Sequence, residues 1–302
     1  MEINKLKEIA SYALSKAKEM GADDAQCRVR YSVTDEINID AGEFSLMRST
    51  FDNSLTINVI KDMKKGTIAI NKLDKASIDA AAKECVEAAE VSAVDDCLSI
   101  APVIDNKDFS EGVLESDRDK FFDRIEEYAT DIKEQFPKVF IEQLIADFYE
   151  SKSVFANTNG VEFSNRVAYY SAGAMYSAHD GDKTTSFNSN GVDFYNLDEK
   201  IIDKGMQKQM YKLCEKELEA EPFEGKFTGK AIFAPSCVTD IVGTAISNFT
   251  SDGALIEGTT PWKDMLHKKV ASDSLTVSAI PLDKRVVGGE SENSRSMISR
   301  VV

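Results

Sequence analysis

Apolar residues recur every three or four positions in several stretches of the chain, and this spacing predicts amphipathic helices. The predicted helices cover residues 3–20, 74–89, 116–136, 197–218 and 235–249. Their ends carry the expected signals: Gly21 suits the position just past the first helix, Asp74 caps the second, and Pro137 stops the third. Pro235 fits the first turn of the last helix, where its missing N–H costs nothing.

A period of two replaces the helical period elsewhere and predicts strands. In the first such stretch, Cys27 and Val29 alternate with the polar Arg28 and Arg30, as in a half-buried strand. Further strands are predicted at 37–39, 55–59, 67–70 and 230–234, and consecutively over 138–194.

Tight connections indicate that neighbouring strands pair antiparallel, since a parallel return needs a crossover of about a dozen residues. The connections lie at Asn159-Gly160 and at His179–Lys183. Asn-Gly between two alternating runs predicts a hairpin with a type I′ turn, because both central residues of that turn need a positive φ.

The predicted fold class is α+β: an N-terminal antiparallel sheet with helices packed on one face, followed by a β-rich C-terminal domain. The best linker is the acidic stretch Glu219–Gly229, which contains a proline and two glycines. We therefore expect an N-terminal domain at 1–222 and the beginning of a C-terminal domain at 223–302. Residues 95–115 show no period and are predicted to form a loop.

Charge and composition narrow the possible functions. The chain has 302 residues and a formal net charge of −16, which argues against direct nucleic-acid binding because a phosphate backbone is repelled. No apolar run reaches the roughly 18 residues of a membrane span, and the charged N-terminus lacks the apolar core of a signal peptide. The five cysteines are scattered without a Cys-x-x-Cys pair, which suits a reducing compartment and predicts small buried side chains. We expect a cytoplasmic protein.

Residues typical of active sites are sparse. The two histidines, His179 and His267, are far apart, and neither has a second histidine at helical spacing for a zinc site. His179 precedes Asp180 and Asp182 in a turn that could hold a hard cation, but a solvated turn is the simpler interpretation. His267 fits a half-exposed helix position, and the glycine-rich Gly225–Lys230 is one residue short of a phosphate loop. We therefore assign no catalytic, cofactor-binding or metal-binding residue.

Several strings of the sequence, in order and with matching spacing, resemble one protein family. They are GADDA at 21–25, FANTNG at 155–160, AIFAPSCVTDIVG at 231–243, GALIEGTTPW at 253–262 and LHKKVASDSLT at 266–276. From about residue 1 to residue 289 the chain is similar to the TldD/PmbA family, also called modulators of DNA gyrase. That older name describes a phenotype, and the net charge gives no reason to expect DNA contact.

The resemblance implies a heterodimeric zinc protease that degrades or matures peptides. In that family the TldD subunit carries a His-Glu-x-x-x-His helix and a later cysteine as metal ligands, and the TldE/PmbA subunit lacks them. The matching helix of this chain, residues 237–249, has no histidine and no glutamate. The likeness is therefore to the PmbA side, with zinc expected only in a TldD-like partner. Family members continue well beyond the length of this chain, so we expect its C-terminal domain to be incomplete.

We therefore expect a PmbA/TldE-like subunit without metal of its own. It would shape the peptide cavity of a TldD-type complex and hold an extended peptide by its sheet edges. Its partner would be a TldD-like subunit or, by self-association, a second copy. The alternative is a non-catalytic homo-oligomeric binding or scaffold protein with no protease partner. An independent hydrolase that uses Asp180 and Asp182 is the least favoured interpretation.

Overall fold

The structure, a computed structural model, describes residues 1–221, 224–233, 235–275 and 299–300 of the chain. Two compact units are present. The first holds Met1–Ala220 together with a short strand near the C-terminus, and the second begins at Glu221. The sequence predicts domains of the family type at 1–222 and 223–302. The compact units do not test those bounds, which stay predictions.

The first unit contains most of the regular structure. Its elements are α1 Ile3–Glu19, β1 Asp24–Asp40, β2 Glu43–Lys61, β3 Lys64–Ile70, α2 Lys75–Glu90, β4 Leu98–Ser99, β5 Lys107–Gly112, α3 Arg118–Gln135, β6 Val139–Asn157, β7 Glu162–Asp180, β8 Lys183–Thr184, β9 Asn188–Phe194, a 3-10 turn at Ile201–Asp203, α4 Gln207–Glu217 and β10 Ser299–Arg300, which pairs with β4. The second unit contains α5 Pro235–Thr250 and α6 Asp252–Ile256. Among the described residues, no helix has the length and apolarity needed to cross a membrane.

One sheet dominates the first unit. Its strand order is β3-β2-β1-β6-β7-β5, and β8 and β9 also pair with β7. These strands pair antiparallel except β5, which runs parallel to β7. The predicted antiparallel α+β architecture is confirmed. The prediction of a loop over all of 95–115 is wrong, because β5 lies within that stretch. The sequence of β5 does not alternate, and the strand forms because β7 offers it backbone hydrogen-bonding partners.

The helices pack on one face of this sheet. Side chains point alternately to the two faces of a strand, so residues an even number apart share a face. Cys27 and Val29 of β1 belong to a buried cluster that includes α1 and α2, and Ile37 and Ile39 belong to a second cluster that includes α3 and α4. Both clusters therefore lie on the same face, as the sequence predicts.

Two helix ends follow their predicted signals. Gly21 has φ 98°, and its N–H donates to the carbonyl of Lys18 at 3.0 Å. The N–H of Ala22 donates to the carbonyl of Ala17 at the same distance, which completes a Schellman motif. Asp74 caps α2 by accepting from the N–H of residue 77 at 3.0 Å.

The helix predicted over 197–218 is split in two. The 3-10 turn at Ile201–Asp203 comes first, and α4 begins only at Gln207. Gly205 between them has φ 56°, a left-handed conformation that interrupts a right-handed helix. Both pieces bury apolar side chains in one cluster, Ile202 from the turn and Tyr211 from α4, and this shared burial produced the continuous helical spacing.

β6 and β7 form the predicted hairpin, but its turn is not type I′. Gly160 has φ 88°, whereas the φ of Asn159 is not positive. The N–H of Gly160 donates to the carbonyl of Asn157 at 3.2 Å, and the N–H of Asn157 donates to the carbonyl of Val161 at 3.0 Å. This is a three-residue loop that ends in one left-handed glycine. The side chain of Asn157 explains the difference, because its Oδ1 accepts from the N–H groups of Asn159 and Val161, each at 3.0 Å.

Two other hairpins have positive φ at both loop positions, as in a type I′ turn. Ala41-Gly42 connects β1 to β2, and Asp62-Met63 connects β2 to β3. Turns of this hand match the right-handed twist of the strands that they join. The Asn-Gly signal therefore located a hairpin correctly but not the type of its turn.

In the second unit, α5 confirms the helix predicted near Pro235. The strand predicted at 230–234 is wrong over residues 230–233, which are irregular. A strand needs a neighbouring backbone for its hydrogen bonds, and the described residues of this unit include no other strand. The β-rich character expected of the C-terminal part stays a prediction.

We predict that Gly66→Ala destabilises the first unit. A Cβ on Gly66 of β3 would overlap the carbonyl oxygen of Cys85 in α2, so the strand and the helix would have to separate. We expect urea denaturation to show a loss of about 1–3 kcal/mol in the free energy of unfolding, as in other overpacked sites. Gly173→Ala is the matched control, since its Cβ would meet its neighbours only at 3.6 Å or more. Equal losses in both variants would contradict the close approach of α2 to β3.

Candidate functional site

Polar side chains line the face of the sheet opposite the helices. On β1 they are Arg30, Ser32, Thr34 and Glu36, which alternate with the residues of the helix-covered face. The register places further polar residues beside them, namely Arg48, Thr50, Asp52 and Ser54 of β2, Asp147, Tyr149, Ser151 and Ser153 of β6, Asn165, Tyr169 and Ser171 of β7, and Asp193 of β9. We call this surface the helix-free face.

One row of the helix-free face crosses five strands. Arg48, Glu36, Asp147, Ser171 and Asp193 lie opposite one another in successive strands. Arg48 donates from Nε and Nη2 to Oε2 of Glu36, at 2.8 and 2.7 Å. Oδ1 of Asp147 is buried and has no hydrogen-bond partner among the described residues. The row therefore holds three carboxyl groups and one arginine, which pairs with Glu36, so acidic groups outnumber basic ones on it.

The surroundings of Asp147 change how it titrates. Burial, followed by the nearby carboxylate of Glu36, raises the pKa of Asp147 to about 6, and Arg48 acts in the opposite direction. Burial also raises the pKa of Asp193. A hydrogen-bond donor or a cation supplied by a ligand would stabilise the ionised form of such carboxyl groups. Perturbed carboxyl groups on an open surface are therefore candidates for a binding site.

A cavity of about 290 Å³ lies on the helix-free face. Its lining residues are Arg30, Ser32, Thr34, Thr50, Asp52, Asn53, Ser54 and Tyr149. Arg30 donates from Nε to Oγ of Ser151 at 3.0 Å and from Nη2 to the hydroxyl of Tyr149, and its guanidinium lies 5.8 Å from the centre of the Tyr149 ring. The rings of Tyr149 and Tyr169 pack with their centres 5.4 Å apart. The cavity thus offers fixed donors and acceptors for a polar ligand.

His179 lies at the end of β7 in a hydrogen-bonded cluster. Its Nε2 is 2.8 Å from Oγ of Ser177, which donates to Oε1 of Glu142 at 2.7 Å. In a Ser-His-Asp hydrolase the histidine stands between the serine and the carboxylate. Here the serine stands in the middle and is only 2% exposed, so it is not an accessible nucleophile. This cluster is structural.

The turn that follows His179 does not assemble a cation site. Asp180 pairs with Lys138 at 2.7 Å, and this hydrogen bond lowers the pKa of Asp180. Asp182 is exposed, next to Gly181 with its φ of 60°. The solvated turn, the simpler of the two interpretations, agrees with this geometry.

Within the part of the chain that the structure describes, Asp95, Asp96 and Cys97 are the one group of three potential metal ligands. They are consecutive residues of a turn. Oδ1 of Asp95 accepts from the N–H of Cys97 at 3.1 Å, and Sγ of Cys97 donates to Oδ1 of Asp96 at 3.5 Å. These local hydrogen bonds account for the turn without an ion.

Two predictions about local environment are wrong. His267 is not in a helix but in an exposed turn with φ 61°, a conformation in which histidine is enriched. Not all cysteines are buried, because Cys97 lies in a half-buried turn and Cys237 lies exposed in the first turn of α5. The buried thiols are those of Cys27, Cys85 and Cys214.

Three solved structures share this fold. TldE from Thermococcus kodakarensis has a TM-score of 0.63 and 11% sequence identity, over 85% of this chain and 58% of that chain. A proposed modulator of DNA gyrase from Bacteroides thetaiotaomicron has a TM-score of 0.69 and 15% identity, over 90% and 63%. A similar protein from Thermotoga maritima has a TM-score of 0.62 and 14% identity, over 87% and 59%. The chain therefore spans about three fifths of the length of these relatives, and at such identities the likeness shows the fold alone.

The sequence itself supplies a second, independent match. Residues 225–292 match the sequence model of the PmbA/TldA metallopeptidase C-terminal domain. This match and the shared fold agree with a resemblance to the TldD/PmbA family. No curated protein matches it. The family expected from the sequence strings and the fold class expected from the periodicity are both confirmed.

α5 falls within the stretch that matches the metallopeptidase domain. Its sequence is PSCVTDIVGTAISNFT, with Asp240 as the one carboxylate and neither histidine nor glutamate. A zinc-binding helix of the His-Glu-x-x-His kind needs two imidazoles one turn apart and a glutamate between them. α5 cannot supply such a site.

Sequence reasoning missed the part of the helix-free face on β6, although a signal was present. Ala146 and Phe148 are buried, and they alternate with Asp147 and Tyr149. This period of two marks one polar face of the strand. It does not reveal that Glu36 is the neighbour of Asp147, because the pairing of β1 with β6 joins distant parts of the chain.

We predict that Asp147→Asn stabilises the protein at pH 8 but not at pH 4. The folded pKa of Asp147 lies above its unfolded value, so its ionisation costs stability as the pH rises from about 4 to about 6. After allowance for solvent screening, we expect a gain of about 1 kcal/mol at pH 8 in chemical denaturation. Asp180→Asn is the control with the opposite sign, because the pKa of Asp180 is lowered, and it should lose stability at pH 8. A loss of stability at pH 8 in Asp147→Asn would contradict this account.

Proposed function

We propose that the chain is a PmbA/TldE-like subunit of a TldD-type zinc peptidase complex that degrades or matures peptides, and that it binds no metal of its own. One observation carries the proposal: α5 lies within the stretch that matches a metallopeptidase domain, yet it has neither histidine nor glutamate. The match of residues 225–292 to the PmbA/TldA metallopeptidase C-terminal domain supports the link to peptide processing. The complex requires a partner with a His-Glu-x-x-x-His helix.

In the proposed complex, the two subunits have different chemical roles. A partner with a His-Glu-x-x-x-His helix would hold the zinc, which would activate water, and would supply the glutamate as its base. This chain supplies binding groups, because the hydroxyl, amide and guanidinium groups of the helix-free face are fixed in place by their neighbours. Such groups hold a substrate in a productive orientation without taking part in bond cleavage.

The helix-free face suits an extended, unfolded peptide. An extended chain presents N–H and C=O groups alternately, and the cavity beside Tyr149 offers donors such as Arg30 and acceptors such as Asp52 for them. Asp147 and Asp193 would attract an amino group or a basic side chain of the peptide. The exposed thiol of Cys237 is consistent with a protein that functions in the reducing cytoplasm.

We predict that the purified chain alone contains no stoichiometric zinc and does not cleave an unfolded peptide. Addition of a family subunit that carries His-Glu-x-x-x-His should produce zinc-dependent cleavage that exceeds the activity of that subunit alone. Metal analysis and cleavage of an unstructured peptide measure the two quantities. Stoichiometric zinc or robust cleavage in the isolated chain would overturn the proposal. Failure of every such partner to bind would favour a homo-oligomeric scaffold instead.

We predict that Arg30→Ala weakens peptide binding in the assembled complex without affecting the chemical step. Loss of a hydrogen bond from a charged donor should raise KM by roughly tenfold and leave kcat unchanged. Lys83→Ala on the exposed surface of α2 is the control, since it removes a positive charge on the helix-covered side of the sheet. An unchanged KM in Arg30→Ala would show that the peptide does not use this cavity.

A further inference from the structure

Two carboxyl groups on the helix-free face lack a partner. Arg48 pairs with Glu36, and neither Asp147 nor Asp193 accepts a hydrogen bond or forms an ion pair with a described residue. Asp147 is half-buried and Asp193 is exposed, so a ligand can reach both from the open surface. Burial raises the pKa of both carboxyl groups, and a cation placed beside them would stabilise their ionised forms.

The residues between and beside these two carboxyl groups are small. Ser171 lies opposite Asp147 on one side and opposite Asp193 on the other. In the next row of the same face, Gly173 lies opposite Gly191. A Cβ on either glycine would meet only backbone atoms within 4 Å, the nearest at 3.5 Å, so no described side chain fills the space directly above them. We call Asp147, Ser171, Gly173, Gly191 and Asp193 the acidic notch.

The two carboxyl groups of the acidic notch act on a common point. Tyr169 precedes Ser171 on the same face of β7. Burial raises the pKa of Tyr169, the carboxylates of Asp193 and Asp147 raise it further, and Arg30 lowers it. Both carboxyl groups therefore lie close enough to the Tyr169 hydroxyl for a single cation beside it to attract both.

A neighbouring amide also lacks a hydrogen-bond donor. Asn38 is 8% exposed, and its Nδ2 donates to Oε1 of Glu36 at 2.9 Å, so the amide is directed at the acidic row. Its Oδ1, like Oδ1 of Asp147, is buried without a partner among the described residues. Asn38 lies opposite Ile145, two residues from Asp147, which makes Asn38 and Asp147 diagonal neighbours. These unpaired atoms are all acceptors, so a ligand that binds here must bring hydrogen-bond donors.

Apolar side chains border the acidic notch on its other side. Ile145 lies opposite Gly173, and Met175 follows Gly173 on the same face of β7. These two side chains are 37% and 38% exposed. The aliphatic stem of a lysine or an arginine packs on such a surface while its charged end stays with polar partners. An anion would be repelled by the two carboxyl groups, and a neutral ligand would leave their charge uncompensated.

We propose that the acidic notch is a subsite that selects an arginine or lysine side chain of the bound peptide. The charged end lies between Asp147 and Asp193, and the stem crosses Gly173 and packs against Ile145 and Met175. Arginine has five N–H donors and no acceptor, so it can donate to both carboxylates at once, whereas lysine acts as a point charge. We therefore expect arginine to be preferred.

This inference deepens the proposed role in peptide processing and rests on it, because it names the side chain that the peptide carries. The two proposals can nevertheless fail separately. The role in a peptidase complex is tested by zinc-dependent cleavage with a partner subunit. The acidic notch is tested by peptide binding to this chain alone, which requires neither zinc nor cleavage.

Fluorescence anisotropy of labelled unfolded peptides on the isolated full chain tests the acidic notch. The peptides form matched pairs with arginine or its neutral isostere citrulline at one position, and that position is moved along the peptide. For at least one position we expect the arginine peptide to bind with a Kd roughly tenfold lower, because citrulline loses a charged hydrogen bond. The double variant Asp147→Asn with Asp193→Asn should bring the ratio of the two Kd values to near one.

Matched variants separate the acidic notch from the general attraction of an acidic protein for basic peptides. The net charge of −16 produces such an attraction by itself. Asp123→Asn with Asp182→Asn is the control, since it removes the same charge from exposed positions outside the helix-free face and should keep the tenfold ratio. Gly191→Leu fills the notch without a change of charge and should weaken binding of the arginine peptide. Thermal unfolding verifies that each variant is folded.

Three results would overturn the subsite. One is a chain that binds no peptide or binds both members of every pair with the same Kd. Another is a Kd ratio that survives in the double variant Asp147→Asn with Asp193→Asn. The third is a ratio that falls equally in the control, which would assign the preference to net charge alone. Zinc-dependent cleavage by the assembled complex would still support the proposed function in each case.

Discussion

The strict alternation of side chains along four long antiparallel strands, β1, β2, β6 and β7, determines the rest of the first unit. Because the period is two, a shift of pairing by one residue would move every apolar side chain of a strand to the polar face. The short turns after β1, β2 and β6 hold the register and thereby separate the two faces. Four helices can then pack on one face, while Glu36 meets Asp147 on the other.

The helix-free face carries features that folding alone does not require. A buried carboxylate oxygen without a partner costs stability, and most native structures avoid it. At Asp147 this cost lies on an open polar surface, a few residues along β6 from the arginine–tyrosine contact of the cavity. Such a combination is more typical of a binding surface than of a solvated sheet face. The same strands therefore provide stability on one side and a candidate recognition surface on the other.

Local patterns made the elements predictable, and long-range pairing limited what could be known of the site. Periodicity located the helices and most strands, since amphipathic burial leaves a clear trace in sequence. Periodicity failed where a single backbone angle decides whether a helix continues, as at Gly205 between the 3-10 turn and α4. It also failed at the β6–β7 turn, where the side chain of Asn157 selects a longer loop. The cavity was not predictable, because Arg30 and Tyr149 come together only through the register of distant strands.

Site-specific photocrosslinking tests most directly whether the helix-free face is the peptide-binding surface. A photoreactive amino acid at position 34, on β1 beside the cavity, would be compared with one at position 83, on the exposed side of α2. Both variants would be irradiated in complex with a zinc-bearing family subunit and an unfolded peptide, with the metal removed to prevent cleavage. The account predicts strong peptide crosslinks from position 34 and background levels from position 83. Equal crosslinking from both positions, or crosslinks from position 83 alone, would contradict it.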